Sequence, residues 1–321
     1  MSGRDGLIAI GSAIVVLTTA CQGPTAATPS ASAMPSASAA TSPPTGVVLS
    51  GQLLFSRFDE SIHTFQGSFI SRPDGSGETE VPLPFTEGLA SWSRSGTEIT
   101  VPTQVADGRI GTAIIAPDGT VLRVLEIPDP TLNLPCPAWS PDDARLACEG
   151  WDDTDPSRKG IYSVRASDGG DLQRLTAPPD GSTDIPGDFS PTGQFVFKRA
   201  AGEEGSGPLM LLDASGGEPR PLTTDSFEDP GRFSPDGSLV TTSASGSIVI
   251  LDLDGNVVET ITDDGAYLFG PAWSPDGTHI AFSRTTGGYH ADIWTSRPDG
   301  SDRWQVTATP DNEINVHWGV G

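Results

Sequence analysis

The segment WSPDGTHIAFS, residues 273–283, decides the fold. It consists of an aromatic residue, a serine, a Pro-Asp-Gly-like turn and a short apolar strand, and a second turn and further strands follow it. The leading aromatic residue of this motif recurs along the chain at Trp92, Trp139, Phe189, Phe233, Trp273 and Trp318. Four short strands per unit of roughly 45 residues are typical of one blade of a β-propeller.

The number of blades follows from a second repeat. The string SRPDGS occupies residues 71–76 and again residues 296–301, which is an offset of 225 residues or five units of 45. The first unit starts at its second strand, residues 52–57, and residues 314–319 supply the missing aromatic strand. The sequence therefore predicts an all-β, six-bladed β-propeller that is closed by pairing of its N- and C-terminal strands, which protects the sheet edges.

These motifs resemble those of the TolB-type, or WD-like, six-bladed propeller family, and the resemblance covers residues 49–321. It implies the propeller fold, but propellers of this kind serve many functions. The separate N-terminal domain of TolB has no counterpart here. We expect the six aromatic residues to pack between blades, and a carbohydrate-binding platform is the alternative.

The N-terminal segment is predicted to be an export and anchoring signal. Residues 7–17 form an uncharged apolar run of 11 residues, too short to span a bilayer but typical of a signal peptide over residues 1–20. Small residues before Cys21 resemble the bacterial lipobox, which implies a diacylated cysteine and removal of the leader. A plain secretory signal is the alternative.

Residues 21–48 carry no charge and consist mainly of Ala, Pro, Ser and Thr, so we expect a disordered linker. With Cys21 acylated, the protein would be extracytoplasmic and lipid-anchored to the cell membrane of a bacterial envelope.

The charge composition excludes nucleic acid as a partner. Asp and Glu number 42 against 18 Lys and Arg, which gives a formal net charge of -24. A nucleic-acid-binding surface needs basic residues to neutralise phosphates. The 38 glycines and 29 prolines indicate many turns and exclude a bundle of long helices.

Two cysteines remain in the predicted propeller, Cys136 and Cys148, each six residues from Asp142 in the intervening turn. An antiparallel hairpin would place them opposite one another, and export permits oxidation. We therefore expect a disulfide, with two buried free thiols as the alternative.

Acidic residues concentrate in the loops that join the second strand of a blade to the third, and the fourth to the next blade. The simplest interpretation is solubility, and the alternative is a face for a basic partner. Asp152, Asp153 and Asp155 beside Trp151 are also the cluster that could hold calcium, although the spacing fits no EF-hand loop. The predicted binding face comprises Trp151, Asp152, Asp153, Asp155, Glu87 and Glu313.

Catalytic motifs of serine hydrolases, P-loop enzymes and zinc proteases are absent from the sequence, and no cofactor is predicted. His63, His290 and His317 form a candidate metal cluster, since they fall in neighbouring blades, but loop histidines are usually solvated. The leading hypothesis is a non-catalytic binding or scaffold module for a protein, peptide or glycan. The alternative is a metal-dependent lyase or hydrolase with its site in the central channel.

Overall fold

The computed structural model of the protein describes Pro43 and residues 49–59, 64–82, 90–202, 205–288 and 290–321. Almost all of the predicted signal peptide and linker, including Cys21, lies outside these residues. The described residues form six antiparallel sheets. Their one helical element is a 3₁₀ turn at Pro156–Arg158, and within these ranges no helix has the length and apolarity needed to cross a membrane.

The blades follow one another along the chain. Blade 1 contains β1 (Gln52–Phe58), β2 (Phe65–Ser71) and β3 (Thr79–Val81). Blade 2 contains β4 (Ser91–Trp92), β5 (Ile99–Gln104), β6 (Ile110–Ile115) and β7 (Val121–Val124). Blade 3 contains β8 (Leu132–Asn133), β9 (Ala138–Trp139), β10 (Arg145–Asp152), β11 (Gly160–Arg165) and β12 (Gln173–Arg174).

The second half of the ring repeats this pattern. Blade 4 contains β13 (Ser182–Phe189), β14 (Phe195–Ala201), β15 (Leu209–Leu212) and β16 (Arg220–Pro221). Blade 5 contains β17 (Arg232–Phe233), β18 (Leu239–Ala244), β19 (Ser247–Asp252) and β20 (Val257–Ile261). Blade 6 contains β21 (Tyr267–Trp273), β22 (Ile280–Thr285), β23 (Asp292–Ser296) and β24 (Trp304–Gln305). The last strand, β25 (Asn312–Gly319), joins blade 1 as its innermost strand.

The predicted closure of the ring is confirmed. Strand β25 pairs antiparallel with β1, and Leu53 lies opposite Trp318. The pairing runs from Gln52 opposite Gly319 to Phe58 opposite Asn312, with one irregularity on the way. Blade 1 thereby obtains its innermost strand from the C-terminal end of the chain.

The hydrophobic core is divided among the six interfaces between neighbouring blades. Six apolar clusters fill them, and each draws its side chains from two adjacent blades. Each interface also receives one of the six motif aromatic residues, which we call the ring aromatics. Burial of these large side chains holds each blade against the next.

The motif serine closes the turn that follows five of the six ring aromatics; Trp318 is followed by glycine. In blade 6 the buried Ser274 hydroxyl accepts the His279 backbone N–H at 2.9 Å and donates to the Asp276 carboxylate at 2.6 Å. Asp276 in turn accepts the backbone N–H of Thr278 at 3.0 Å. In five blades the serine hydroxyl accepts a backbone N–H across the turn, at Ser93, Ser140, Ser190, Ser234 and Ser274. The turn is thus held by side-chain bonds in addition to its backbone.

The structure joins Cys136 to Cys148 in a disulfide, 12 residues apart in sequence. Near the turn β10 pairs with β9, and farther along it pairs with β8. The segment that connects β8 to β9 contains one residue more than the part of β10 that faces it. The extra residue forms a bulge, which brings Cys136 opposite Cys148.

We predict that Ser274→Ala lowers the free energy of unfolding by about 1–3 kcal/mol, because the substitution leaves a buried backbone N–H without its acceptor. The matched control is Ser301→Ala, in an exposed second turn where the hydroxyl bonds only Asp299, and we expect it to change stability by less than about 0.5 kcal/mol. Urea denaturation of both variants measures the difference. Equal midpoints would contradict the structural role of the motif serine.

Candidate functional site

The central channel widens at the face of the motif turns into a cavity of about 310 Å³, which we call the funnel. Residues from all six blades line it. Edges of five ring aromatics form much of its wall: Trp92, Phe189, Phe233, Trp273 and Trp318. This is the opposite face from the acidic loops that the sequence analysis singled out.

Three of the four titratable residues of the funnel occupy one repeated position. Side chains alternate along an inner strand, so when the ring aromatic packs between blades the residue before it faces the channel. That position is occupied by Ser91, Ala138, Asp188, Arg232, Ala272 and His317. A third charged side chain, Arg94, stands where four of the motif turns have proline. These departures from the repeat are the signal that the sequence analysis missed.

Asp188 connects three blades at the funnel wall. Its carboxylate accepts Nη2 of Arg94 at 2.5 Å, the backbone N–H of Phe189 at 2.9 Å and that of Phe233 at 3.1 Å. Arg94 also donates to the Phe189 carbonyl at 2.6 Å. The carboxylate is therefore well supplied with donors, and Arg94 is held in place across blade 3.

His317 faces the funnel from the closing strand β25. The backbone N–H of Trp92 donates to its Nδ1 at 3.3 Å. Burial, reinforced by Arg232 and Arg94, lowers the pKa of His317 well below its ordinary value, so the ring is neutral. With Nδ1 acting as the acceptor, the neutral ring carries its proton on Nε2, and this N–H is left to donate into the funnel.

Among the charged side chains that line the funnel, Arg232 is the one without a direct ion pair, although Asp188 and Asp229 act on its charge from nearby. Its guanidinium lines the cavity, and none of the residues that the structure describes forms an ion pair or a hydrogen bond with it. Burial lowers its pKa, but an arginine stays protonated in proteins. The funnel thus presents an unpaired, permanently charged donor next to the Nε2–H of His317.

The acidic cluster predicted in blade 3 has an internal role. Asp152 is 8% exposed, and its carboxylate accepts two bonds from Thr154, one from the Asp155 backbone and one from Nη1 of Arg158 at 3.0 Å. Hydrogen bonds from Thr131, Thr154 and Arg158 hold the pKa of Asp152 well below its usual range. These partners occupy the carboxylate that a partner or calcium would need.

The neighbouring residues are also used locally. Asp155 caps the 3₁₀ turn by accepting the Ser157 backbone N–H at 3.0 Å. Asp153 accepts the indole N–H of Trp151 at 3.1 Å.

Two further members of the predicted binding face stand apart from this cluster. The prediction that Glu313 lies on a surface is wrong, since it is 0% exposed and accepts a hydrogen bond from Nε of Arg57 at 2.8 Å. Glu87 lies outside the described residues.

The predicted histidine cluster does not assemble from the residues that can be placed. His290 lies beside Asp292, with 3.4 Å between Nε2 and the carboxylate, near the start of β25. His317 lies near the other end of that strand, roughly 13 Å farther along. His63 is outside the described residues, and among the described ones no group of three or more His, Cys, Asp or Glu side chains is arranged to hold a metal ion.

The low pKa of His317 predicts a pH dependence of stability. Below about pH 6.5 the unfolded chain takes up a proton on this histidine while the folded protein does not, so acidification destabilises the fold by up to about 1.4 kcal/mol per pH unit. In His317→Asn this contribution is absent. Between pH 7 and pH 5 the wild type should therefore lose more stability than the variant, as measured by urea denaturation. A difference that stays constant over this range would contradict a neutral His317, because the other titrating groups are common to both proteins.

Comparison with known proteins supports the fold. No protein-family profile matches the chain. An uncharacterized protein of Agrobacterium fabrum is 31% identical over 123 residues, which span 37% of this chain and 42% of that protein.

Two solved structures share the architecture. TolB from Acinetobacter baumannii superposes with a TM-score of 0.61 at 19% identity, over 84% of this chain and 66% of its own. A TolB-like protein from Agrobacterium tumefaciens superposes with a TM-score of 0.54 at 16% identity, over 85% of this chain and 99% of its own. By fold, the chain is a six-bladed β-propeller of the TolB type.

Proposed function

We propose that the protein is a non-catalytic binding module of the bacterial cell envelope and that its ligand enters the funnel. The observation that carries this proposal is the unpaired guanidinium of Arg232 beside the Nε2–H of His317. Both groups are donors without a protein acceptor among the described residues. A concave site with a few convergent polar groups on apolar walls is suited to recognition.

The chemistry of the funnel favours binding over catalysis. A general base needs a free lone pair within reach of its substrate. The lone pair of His317 accepts the N–H of Trp92, and the carboxylate of Asp188 accepts three donors. The donors that remain available, on Arg232 and His317, can hold a ligand and orient it.

The location forms the second part of the proposal. The apolar leader over residues 1–20, the acceptor Cys21 and the uncharged linker over residues 21–48 support export followed by lipid anchoring. The linker gives a flexible reach of roughly 25–30 Å, enough to let the propeller present its funnel away from the membrane.

The binding site can be tested by blocking the mouth of the funnel. Val320 is 47% exposed at its rim, and Val258 is 49% exposed on the outer strand β20. We expect Val320→Trp to lose a ligand or partner that is crosslinked and co-purified from intact envelopes, whereas Val258→Trp retains it. If both variants retain the same ligand, it binds elsewhere. If neither variant nor the wild type retains one at low or physiological salt, the binding function fails.

The anchor is tested separately. We expect Cys21→Ala to move the protein from the membrane fraction to the soluble fraction of the producing bacterium, because no acyl chain can be attached. Gln22→Ala is the matched control and should stay with the membrane. Detergent phase partitioning measures both, and a Cys21→Ala protein that remains in the detergent phase would contradict lipid anchoring.

A further inference from the structure

We infer that the funnel recognises a carboxylate group attached to an apolar body, with Arg232 as its principal anchor and His317 as the second donor. This inference rests on the proposed binding function and names the chemical class of its ligand.

The hydrogen-bonding groups of the funnel call for an acceptor. Arg232 presents five N–H donors in a planar fork, and a carboxylate can accept two of them side by side. His317 adds an Nε2–H, since its Nδ1 is occupied by the backbone of Trp92. A ligand that itself donated hydrogen bonds would find no acceptor at these two side chains.

The net charge of the cavity sets the charge of the ligand. The ionised side chains that line it are Arg94, Asp188 and Arg232, and His317 is neutral. Arg94 and Asp188 neutralise one another at 2.5 Å, so one positive charge remains among the lining residues, with Asp229 acting on it from behind the wall. This is a local excess of positive charge in a chain of formal charge -24. One excess positive charge matches a carboxylate, whereas a phosphate dianion would bring a second negative charge into the site.

An unpaired guanidinium in this position is costly for the folded protein. Arg232 is half-buried, and a partly buried charge loses hydration that no direct hydrogen bond from the described residues replaces. Asp188 and Asp229 stabilise this charge from nearby without bonding it directly, and the Asp188 carboxylate already accepts Arg94, Phe189 and Phe233. The guanidinium therefore keeps donors free for a ligand, and a bound carboxylate would complete the site.

The apolar walls of the funnel favour an apolar group next to the carboxylate. Five ring aromatics and four turn prolines surround the charged groups. A cavity of about 310 Å³ lies at the small end of ligand sites. It accommodates one amino-acid-sized group, which could be a free N-acyl amino acid or the last residue of a polypeptide.

The test titrates the full-length protein with N-acetyl-L-phenylalanine and with its uncharged C-terminal amide, using calorimetry and the fluorescence of the funnel tryptophans. We expect the acid to bind at least ten-fold more tightly than the amide. An N-acetylated tetrapeptide ending in phenylalanine, with a free or amidated C-terminus, distinguishes the source. Tighter binding of the free-ended tetrapeptide than of the single residue assigns the site to a chain end, and the reverse assigns it to a small carboxylate.

Substitutions locate the interaction. Arg232→Gln should reduce binding of the acid to the level of the amide and leave binding of the amide unchanged. Arg165→Gln is the control, because Arg165 is an exposed arginine paired with Asp168 away from the funnel. Should Arg232→Gln fail to fold, Arg232→Lys is the second variant, because it keeps the charge but loses the planar fork. We expect it to weaken binding of the acid several-fold.

Three results would overturn the inference. Equal binding of acid and amide, with both lost in Val320→Trp, would leave the funnel as the binding site but remove carboxylate recognition. Tighter binding of inorganic phosphate than of N-acetyl-L-phenylalanine would assign a different anion. An unchanged preference for the acid in Arg232→Gln would place the carboxylate elsewhere. Failure of the proposed function itself would show instead as a partner captured equally well by Val320→Trp and Val258→Trp.

Discussion

The pairing of β25 with β1 is the constraint on which the rest of the structure depends. A propeller blade buries its apolar faces only against its neighbours, so an open ring would leave two of them in water. The clusters on both sides of blade 1 include residues of the closing pair, among them Leu53, Leu54 and Trp318. The same strand carries His317 to the funnel, where it accepts the backbone N–H of Trp92 in blade 2. The strand that closes the ring therefore also completes the funnel.

Repetition builds the scaffold, and departures from repetition build the site. The ring aromatics and motif serines have the same tasks wherever they recur, which are packing between blades and closing a turn. Asp188, Arg232 and His317 occupy a position that elsewhere holds alanine or serine, and Arg94 replaces a turn proline. Together these departures give the funnel its charge and its donors, and Asp188 and His317 also bond neighbouring blades.

The fold could be predicted from the sequence because its determinants are local and periodic. The WSPDG motif, the 225-residue offset and the symmetric cysteines each rest on spacing alone. The site could not be predicted in the same way. Asp152 is an acidic loop residue in the sequence, but only the folded chain reveals that Thr154 and Arg158 occupy its carboxylate. Glu313 is likewise drawn inside by Arg57, which lies 256 residues away.

The closing pair also has a consequence for how copies of the chain can meet. Leu53 pairs with Trp318, which follows 265 residues later in the chain. The inner edge of β1 therefore stays unpaired until the intervening blades have formed. An exposed edge strand accepts any partner of the right sequence, and β25 of a second copy carries that sequence. Exchange of β25 between two chains would build two complete rings with the same contacts. Domain-swapped pairs are therefore the characteristic assembly error of this architecture when copies are crowded during folding.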